Sequence, residues 1–260
     1  MAPEDFRSVL VALRKSNPDE IYYLAGQSSV GLSFEQPAET MQSITLGTLN
    51  MLEGCRMMDR NIRLYHAGSG ECFGNTNGKP ANEKTPFYPM SPYAASKSSA
   101  HWLVNNYRDA YGIFACTGIL FNHESSLRPE RFVTQKIIRA VKRIADGSPE
   151  KLSLGRLDIS RDWGWAPEYV NAMWLMLQQE KPTDFVVATG VHITLADFVR
   201  VAFECAGLNS KDYVVQDEAL FRPTDATVSF GDPSKAAKEL GWSASIRGVD
   251  VVKKMYQSLN

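Results

Sequence analysis

Tyr93-Ala-Ala-Ser-Lys97 puts a phenol and an ammonium four residues apart, so on a helix both project from one face. An ammonium so placed stabilises the phenolate, and the pair can carry a proton to or from a substrate hydroxyl. The spacing alone is a weak signal, because tyrosine and lysine are ordinary residues of a helix surface. Its setting adds weight. Ser91 and Pro92 read as the N-cap and first residue of that helix, and the strand before it ends in Ser69-Gly70-Glu71. Ligands of open α/β sheets gather at the C-terminal ends of strands. There Ser69 offers a hydroxyl to hold a substrate and Glu71 a carboxylate to remove a carbon-bound proton. Taken without the Tyr93 pair, the two are a capped turn with a solvated acid.

The elements that must position these groups follow from the apolar spacing. Phe6, Val9, Leu10 and Leu13 repeat as on a helix, Asn17-Pro18-Asp19 stops it, and residues 21–25 read as a short buried strand. Met41, Ile44, Thr48, Leu52 and Cys55 mark a second helix, followed by a strand over 62–67. The helix carrying Tyr93 and Lys97 runs over 92–111 and closes at Gly112, with a third strand over 113–121. Strands separated by full helices are parallel with right-handed crossovers, so residues 1–121 form half of a doubly wound α/β sheet. A helix over 168–179, a strand over 185–189, a helix capped by Thr194-x-x-Asp197 and one opened by Asp232-Pro233 and closed at Gly241 complete the pattern. With no repeat or low-complexity linker, any substrate lobe is interleaved with the sheet.

Glycines give no phosphate loop. Gly68-Ser-Gly70-Glu-Cys-Phe-Gly74 follows a strand, but no helix opens after it, and the stretch Gly74 to Lys79 runs into Pro80. Composition bounds the rest. The 260 residues hold 28 Lys and Arg against 29 Asp and Glu, a net charge of −1, which argues against standing attraction to nucleic acid or anionic membrane. No apolar run approaches the ~18 residues of a membrane span, and the amphipathic start is unlike a signal peptide. The expectation is a cytoplasmic protein. Four cysteines without a C-x-x-C pair and four histidines outside ligand spacing predict neither zinc nor a disulfide framework.

Five stretches carry a resemblance: residues 18–28 (Pro-Asp-Glu-Ile-Tyr-Tyr-Leu-Ala-Gly-Gln-Ser), 85–93 (Thr-Pro-Phe-Tyr-Pro-Met-Ser-Pro-Tyr), Leu120-Phe-Asn-His-Glu-Ser125, Arg161-Asp-Trp-Gly164 and Ala172-Met-Trp-Leu-Met-Leu-Gln-Gln179. Through them the chain, from about Ala2 to its C-terminus, resembles the extended short-chain dehydrogenase/reductases and, within these, the GDP-mannose 4,6-dehydratase family. The resemblance implies a Rossmann-like sheet. It divides the chain into a cofactor domain, residues 1–124 with 161–189, and a nucleotide-sugar lobe, 125–160 with 190–260.

By position, Ser69 takes the family's catalytic threonine place, and Glu71, Tyr93 and Lys97 match its base, acid/base tyrosine and lysine. The implied reaction oxidises the mannose C4, removes the C5 proton and the C6 hydroxyl, and reduces C6, giving GDP-4-dehydro-6-deoxy-mannose on the route to GDP-fucose and related deoxysugars. Leu24, Ala25, Gly26, Gln27, Ser28, His123 and Arg128, with Tyr93 and Lys97, fall where the family contacts the nicotinamide half of the cofactor. Asn122, Arg161 and Arg222 match positions that grip the nucleotide diphosphate, a task suited to planar guanidinium groups. Read singly, His123 is a packed turn histidine and each arginine a surface ion pair. The implied cofactor is NADP, with NAD open because the choice rests on the resemblance alone. The implied substrate is GDP-mannose and the implied assembly a homo-oligomer.

The family pattern is not matched throughout. Roughly seventy residues, three strand and helix units with the pyrophosphate-binding glycines, have no counterpart. Glu39, Arg156, Trp165 and Ser126-Leu127 replace a tyrosine, an asparagine, a histidine and a Pro-Arg pair. Three readings therefore stand: a dehydratase whose other half precedes Met1 or comes from another chain, a GDP-sugar-binding or partner subunit with impaired catalysis, or another nucleotide-sugar epimerase or dehydratase. The halved cofactor site predicts little turnover by this chain alone.

Overall fold

The computed structural model describes residues 1–58 and 60–259. Helix α1 (Phe6–Ser16) is capped by Asp5 and ends where Asn17 turns left-handed at φ 44°. Strand β1 (Glu20–Tyr23) leads through α2 (Val30–Glu35) and α3 (Pro37–Met41) into one π turn (Gln42–Leu46) and α4 (Gly47–Met57). The single helix predicted around Met41 to Cys55 is thus a helix with a π bulge, a feature that apolar spacing does not signal. Strand β2 (Arg63–Ala67) precedes a 3-10 turn (Gly70–Phe73), and α5 (Pro92–Tyr111) runs between the predicted cap Ser91 and the left-handed Gly112.

Beyond β3 (Ala115–Leu120) come β4 (Asn122–Glu124), α6 (Val133–Ala145), β5 (Leu152–Leu154), β6 (Ser160–Arg161), β7 (Trp163–Trp165) and α7 (Ala166–Leu177). The chain ends with β8 (Phe185–Val187), β9 (Ile193–Thr194), α8 (Leu195–Cys205), β10 (Val214–Gln216), β11 (Val228–Ser229), α9 (Ser234–Leu240) and α10 (Val249–Gln257). Helices α6 and α10 lie outside the predicted elements, although Ile137, Ile138, Val141 and Ile144 have helical spacing and are buried.

Four parallel strands in the order β1-β2-β3-β8 form the main sheet, the α/β class expected. Alternate residues face opposite layers: Leu64 and Ala115 pack with Val9, Leu13, Leu52 and Val104 of α1, α4 and α5, while Tyr65 and Cys116 pack with Tyr169, Met173 and Met176 of α7. Residues 236–244 return to this second layer beside Phe185 and Val187. A separate core joins α6, α8 and α10 around Ile137, Phe198, Val251 and Trp163. Residues 120–124 and 160–165 lie between the two cores, paired as β4 on β7, so Asn122, His123 and Arg161 stand at the C-terminal edge of the sheet.

Candidate active site

Just past β2, Ser69 is extended and its Oγ accepts the Glu71 N–H at 3.2 Å, which opens the 3-10 turn. Gly70 is required here, because a Cβ would lie 2.9 Å from the Phe121 ring. The turn is held further by Tyr88 N–H on the Cys72 carbonyl at 2.8 Å. Ser69 is buried, and the Glu71 side chain keeps 21% of its surface open.

On α5, Ser91 Oγ accepts the Ala94 N–H at 3.0 Å and Pro92 occupies the first turn, which fixes where Tyr93 and Lys97 begin. Lys97 is buried, donates to the Ala67 carbonyl at 2.8 Å and is pushed down to about 8 by desolvation. Its Nζ lies 6.0 Å from the centre of the Tyr93 ring. Burial raises the Tyr93 phenol above its usual range, offset in part by a hydrogen bond with the Ser69 hydroxyl and by the charge of Arg128. One N–H of the Lys97 ammonium goes to a strand carbonyl, and desolvation of the Tyr93 phenolate outweighs the Ser69 hydrogen bond and the charge of Arg128.

A chain of charges leads away from Glu71. Arg161 Nε stands 3.9 Å from Glu71 Oε1, and Arg161 Nη2 donates to Asp225 Oδ1 at 2.5 Å. Arg161 Nη1 donates to the carbonyls of Ser160 at 2.9 Å and Ala226 at 2.8 Å, so this guanidinium is fixed and almost wholly buried. Arg222 Nη1 reaches the same Asp225 oxygen at 3.5 Å and is a third exposed. Ser69, Glu71, Arg161 and Arg222 thus share one site with Tyr93.

His123 and Arg128 belong to a neighbouring knot. His123 stacks on Tyr169 with ring centres 4.7 Å apart, donates Nδ1–H to the Phe121 carbonyl at 2.8 Å and is pushed down to about 4, chiefly by burial. Arg128 makes a two-pronged pair with buried Glu124 at 2.8 and 3.2 Å, and Thr134 donates to that carboxylate at 2.9 Å. Asn122 is paired to Trp163 in the β4–β7 ladder. Past β1, Leu24 and Ser28 are exposed, Gly26 has φ 126°, and Gln27 bonds to Ser43, Ser29 and Thr40. Gln27 thus ties this loop to α3 and to the π turn.

Two further acids are not singled out by the sequence. Asp162 is fully buried and accepts from Thr189 N–H at 2.9 Å, the Thr189 hydroxyl at 2.7 Å and Gly190 N–H at 3.0 Å, tying the end of β8 to the strand of Arg161. Its only signal in the sequence is its place in the Arg161–Gly164 stretch. Asp225, three residues after Arg222, carried none. Among the described residues no group of His, Cys, Asp or Glu has metal-ligand geometry, and no helix is long and apolar enough to cross a membrane.

Comparison with known proteins decides the family. The GDP-mannose 4,6 dehydratase family profile matches residues 3–255. The chain belongs to this family. GDP-mannose 4,6 dehydratase 2 of Arabidopsis thaliana is 53% identical over 242 residues, covering 92% of this chain and 65% of its own length. The GDP-mannose 4,6-dehydratase of Sinorhizobium fredii is 46% identical, covering 92% of this chain and 73% of its own. The chain therefore spans about two thirds of the length of these dehydratase relatives, 65% in the first case. In fold it is similar to RMD from Pseudomonas aeruginosa complexed with NADPH, with a TM-score of 0.88 at 24% identity over 98% of this chain and 86% of that one. It is also similar to a Thermus thermophilus UDP-glucose 4-epimerase in complex with NAD, with a TM-score of 0.87 at 25% identity over 99% and 83%.

Proposed function

We propose that the chain carries the dehydratase chemistry of its family, conversion of GDP-mannose to GDP-4-dehydro-6-deoxy-mannose. The observation that carries this reading is the convergence of Ser69, Glu71, Tyr93 and the two arginines at one sheet edge. Ser69 hydrogen-bonds the sugar O4 and Tyr93 exchanges its proton. Tyr93 is a phenol in the free site and must lose its proton before it acts as a base, assisted by the Ser69 hydroxyl and the Arg128 charge. Glu71 removes the C5 proton as the C6 hydroxyl leaves as water. Arg161 and Arg222 hold the diphosphate, whose charge suits guanidinium forks.

The residues fit the nicotinamide half of a cofactor. Lys97 gives one of its three N–H donors to Ala67 in a buried place, which leaves donors for a ribose diol, and the charge of Arg128 acts on Tyr93. A bound nicotinamide cofactor, NADP by family resemblance, supplies the hydride acceptor for C4 and the donor for C6. A second reading, a GDP-sugar-binding subunit working with a partner chain, is supported by one observation: β1 pairs on one side only and forms the edge of the sheet.

The test uses the chain fused to the first ~70 residues of a related dehydratase, with GDP-mannose and NADP in heavy water. Deuterium should enter C5 and the 4-keto product should form, and Glu71→Gln should abolish exchange while binding GDP-mannose within about twofold of wild type, since it keeps the side-chain shape. Wild-type exchange in Glu71→Gln removes Glu71 from the mechanism. Binding without turnover favours the subunit reading, and no binding of GDP-mannose overturns both.

A further inference from the structure

The base and the guanidinium that face each other in the site come from different parts of the fold. Glu71 follows β2 of the main sheet, Arg161 lies on β6, and their side chains stand 3.9 Å apart. Between them the backbone closes a ring. Past the turn of Glu71, the Val228 N–H donates to Asn75 Oδ1 at 3.3 Å, and the Thr76 N–H and hydroxyl donate to the Val228 carbonyl at 2.9 and 3.1 Å. Val228 belongs to β11, which pairs with β6, Val228 on Ser160 and Ser229 on Arg161. Resting on the reading of Glu71 as the C5 base, we infer that Asn75 and Thr76 are positioning residues of the reaction. Their clamp on Val228 sets where the Glu71 carboxylate stands relative to Arg161, and so relative to a sugar whose diphosphate Arg161 holds.

Arg161 is the fixed end of this ring, because its Nη1 is seated on the Ser160 and Ala226 carbonyls. Glu71 is the adjustable end. Among the described residues Arg161 is the one cation within ion-pair distance of its carboxylate, and its side chain is partly open, so the carboxylate takes its place from its own backbone. That backbone is coupled tightly to the clamp. Gly74, at φ 65°, donates its N–H to the Glu71 carbonyl at 3.1 Å, and a Cβ there would collide with the Tyr88 carbonyl. Beyond Gly74 packing gives little help, since a cleft of about 620 Å³ opens between Phe73, Asn75 and Thr76 on one side and Tyr88 and Met90 on the other. Hydrogen bonds to Val228 therefore hold this stretch. Asn75 Oδ1 also accepts the Asn77 N–H at 3.2 Å, so both of its bonds use the side-chain oxygen as acceptor.

The experiment uses the fused chain of the test above and reads two half-reactions. Entry of deuterium at C5 of GDP-4-dehydro-6-deoxy-mannose in heavy water needs the base but no hydride transfer, whereas hydride transfer from C4 of GDP-mannose in a single turnover needs Tyr93. Asn75→Ala removes the acceptor and leaves the Thr76 N–H on Val228. It should slow C5 exchange by about tenfold or more, the scale of a base displaced by a fraction of 1 Å, while hydride transfer and GDP affinity stay within about twofold of wild type. Asn75→Asp keeps the acceptor oxygen and should restore exchange to within about threefold of wild type. Slowing of exchange by less than about threefold in Asn75→Ala, equal slowing of both half-reactions, or an Asn75→Asp variant as slow as Asn75→Ala overturns the inference. If Asn75→Ala is unfolded, Thr76→Val is measured against the same outcomes; failure of both to fold means the clamp is structural and also overturns it. Glu71→Gln separates this inference from the reading it rests on. No exchange by wild type, or equal exchange by Glu71→Gln, removes Glu71 as the base and the clamp with it, whereas exchange lost in Glu71→Gln but kept in Asn75→Ala removes the clamp alone.

Discussion

Replacing Lys97 by methionine should exchange stability for chemistry, with a sign that reverses with pH. Lys97 is 7% exposed and its ammonium is pushed from the ordinary lysine range down to about 8 by burial. Against an unfolded value near 10.4, that is roughly 3 kcal/mol of destabilisation carried by the charged form. Below about pH 8 the folded protein bears this cost in full. Between about 8 and 10.4 the unfolded chain binds more protons than the folded one, so stability rises with pH and the cost disappears. Methionine fills a similar volume without charge but leaves the Ala67 carbonyl without its 2.8 Å donor, a loss of about 1–3 kcal/mol. The variant should therefore be more stable than wild type by about 1 kcal/mol near neutral pH and less stable by about 2 kcal/mol near pH 10.5. Urea unfolding of both proteins at the two pH values measures this, with unchanged slopes required for the comparison. A difference that does not move with pH would refute the account of a desolvated ammonium, whatever happens to activity.

Tyr93→Phe should keep the fold and slow oxidation at C4 by about 10²–10⁴, measured as hydride transfer in a single turnover; a loss below about threefold would assign the proton to another group. His123 is held neutral down to about 4, whereas an unfolded histidine protonates near 6.5, so wild type should lose stability as pH falls through that window. Discounted for its partial exposure, the loss should be about 2 kcal/mol, and acid titration of His123→Phe should be flatter by that amount. Asp162→Asn turns one acceptor oxygen into a donor facing Gly190 N–H, and should cost about 2–4 kcal/mol in chemical denaturation; a cost under about 0.5 kcal/mol would mean that the tie between β6 and the end of β8 is dispensable.

The sequence by itself determined the helix of Tyr93 and Lys97 to the residue, because Ser91, Pro92 and Gly112 are local signals whose physics needs no distant partner. It also determined the parallel sheet, because strands separated by whole helices pair through right-handed crossovers. The helix over Val133–Ala145 is equally legible in the spacing of its isoleucines. Tertiary structure decided what the charged residues do. Lys97 stands within reach of its tyrosine by spacing, and packing also directs one of its three N–H donors to the strand carbonyl of Ala67, since a buried ammonium needs acceptors. Arg161 and Arg222 are 61 residues apart in sequence, and only the pairing of β6 with β11 brings the Asp225 loop between them. Asp225 carries no periodic or motif signal and Asp162 only its place in the Arg161–Gly164 stretch, because a carboxylate acquires its role from the donors that converge on it, and those donors come from strands and loops that meet only in the fold.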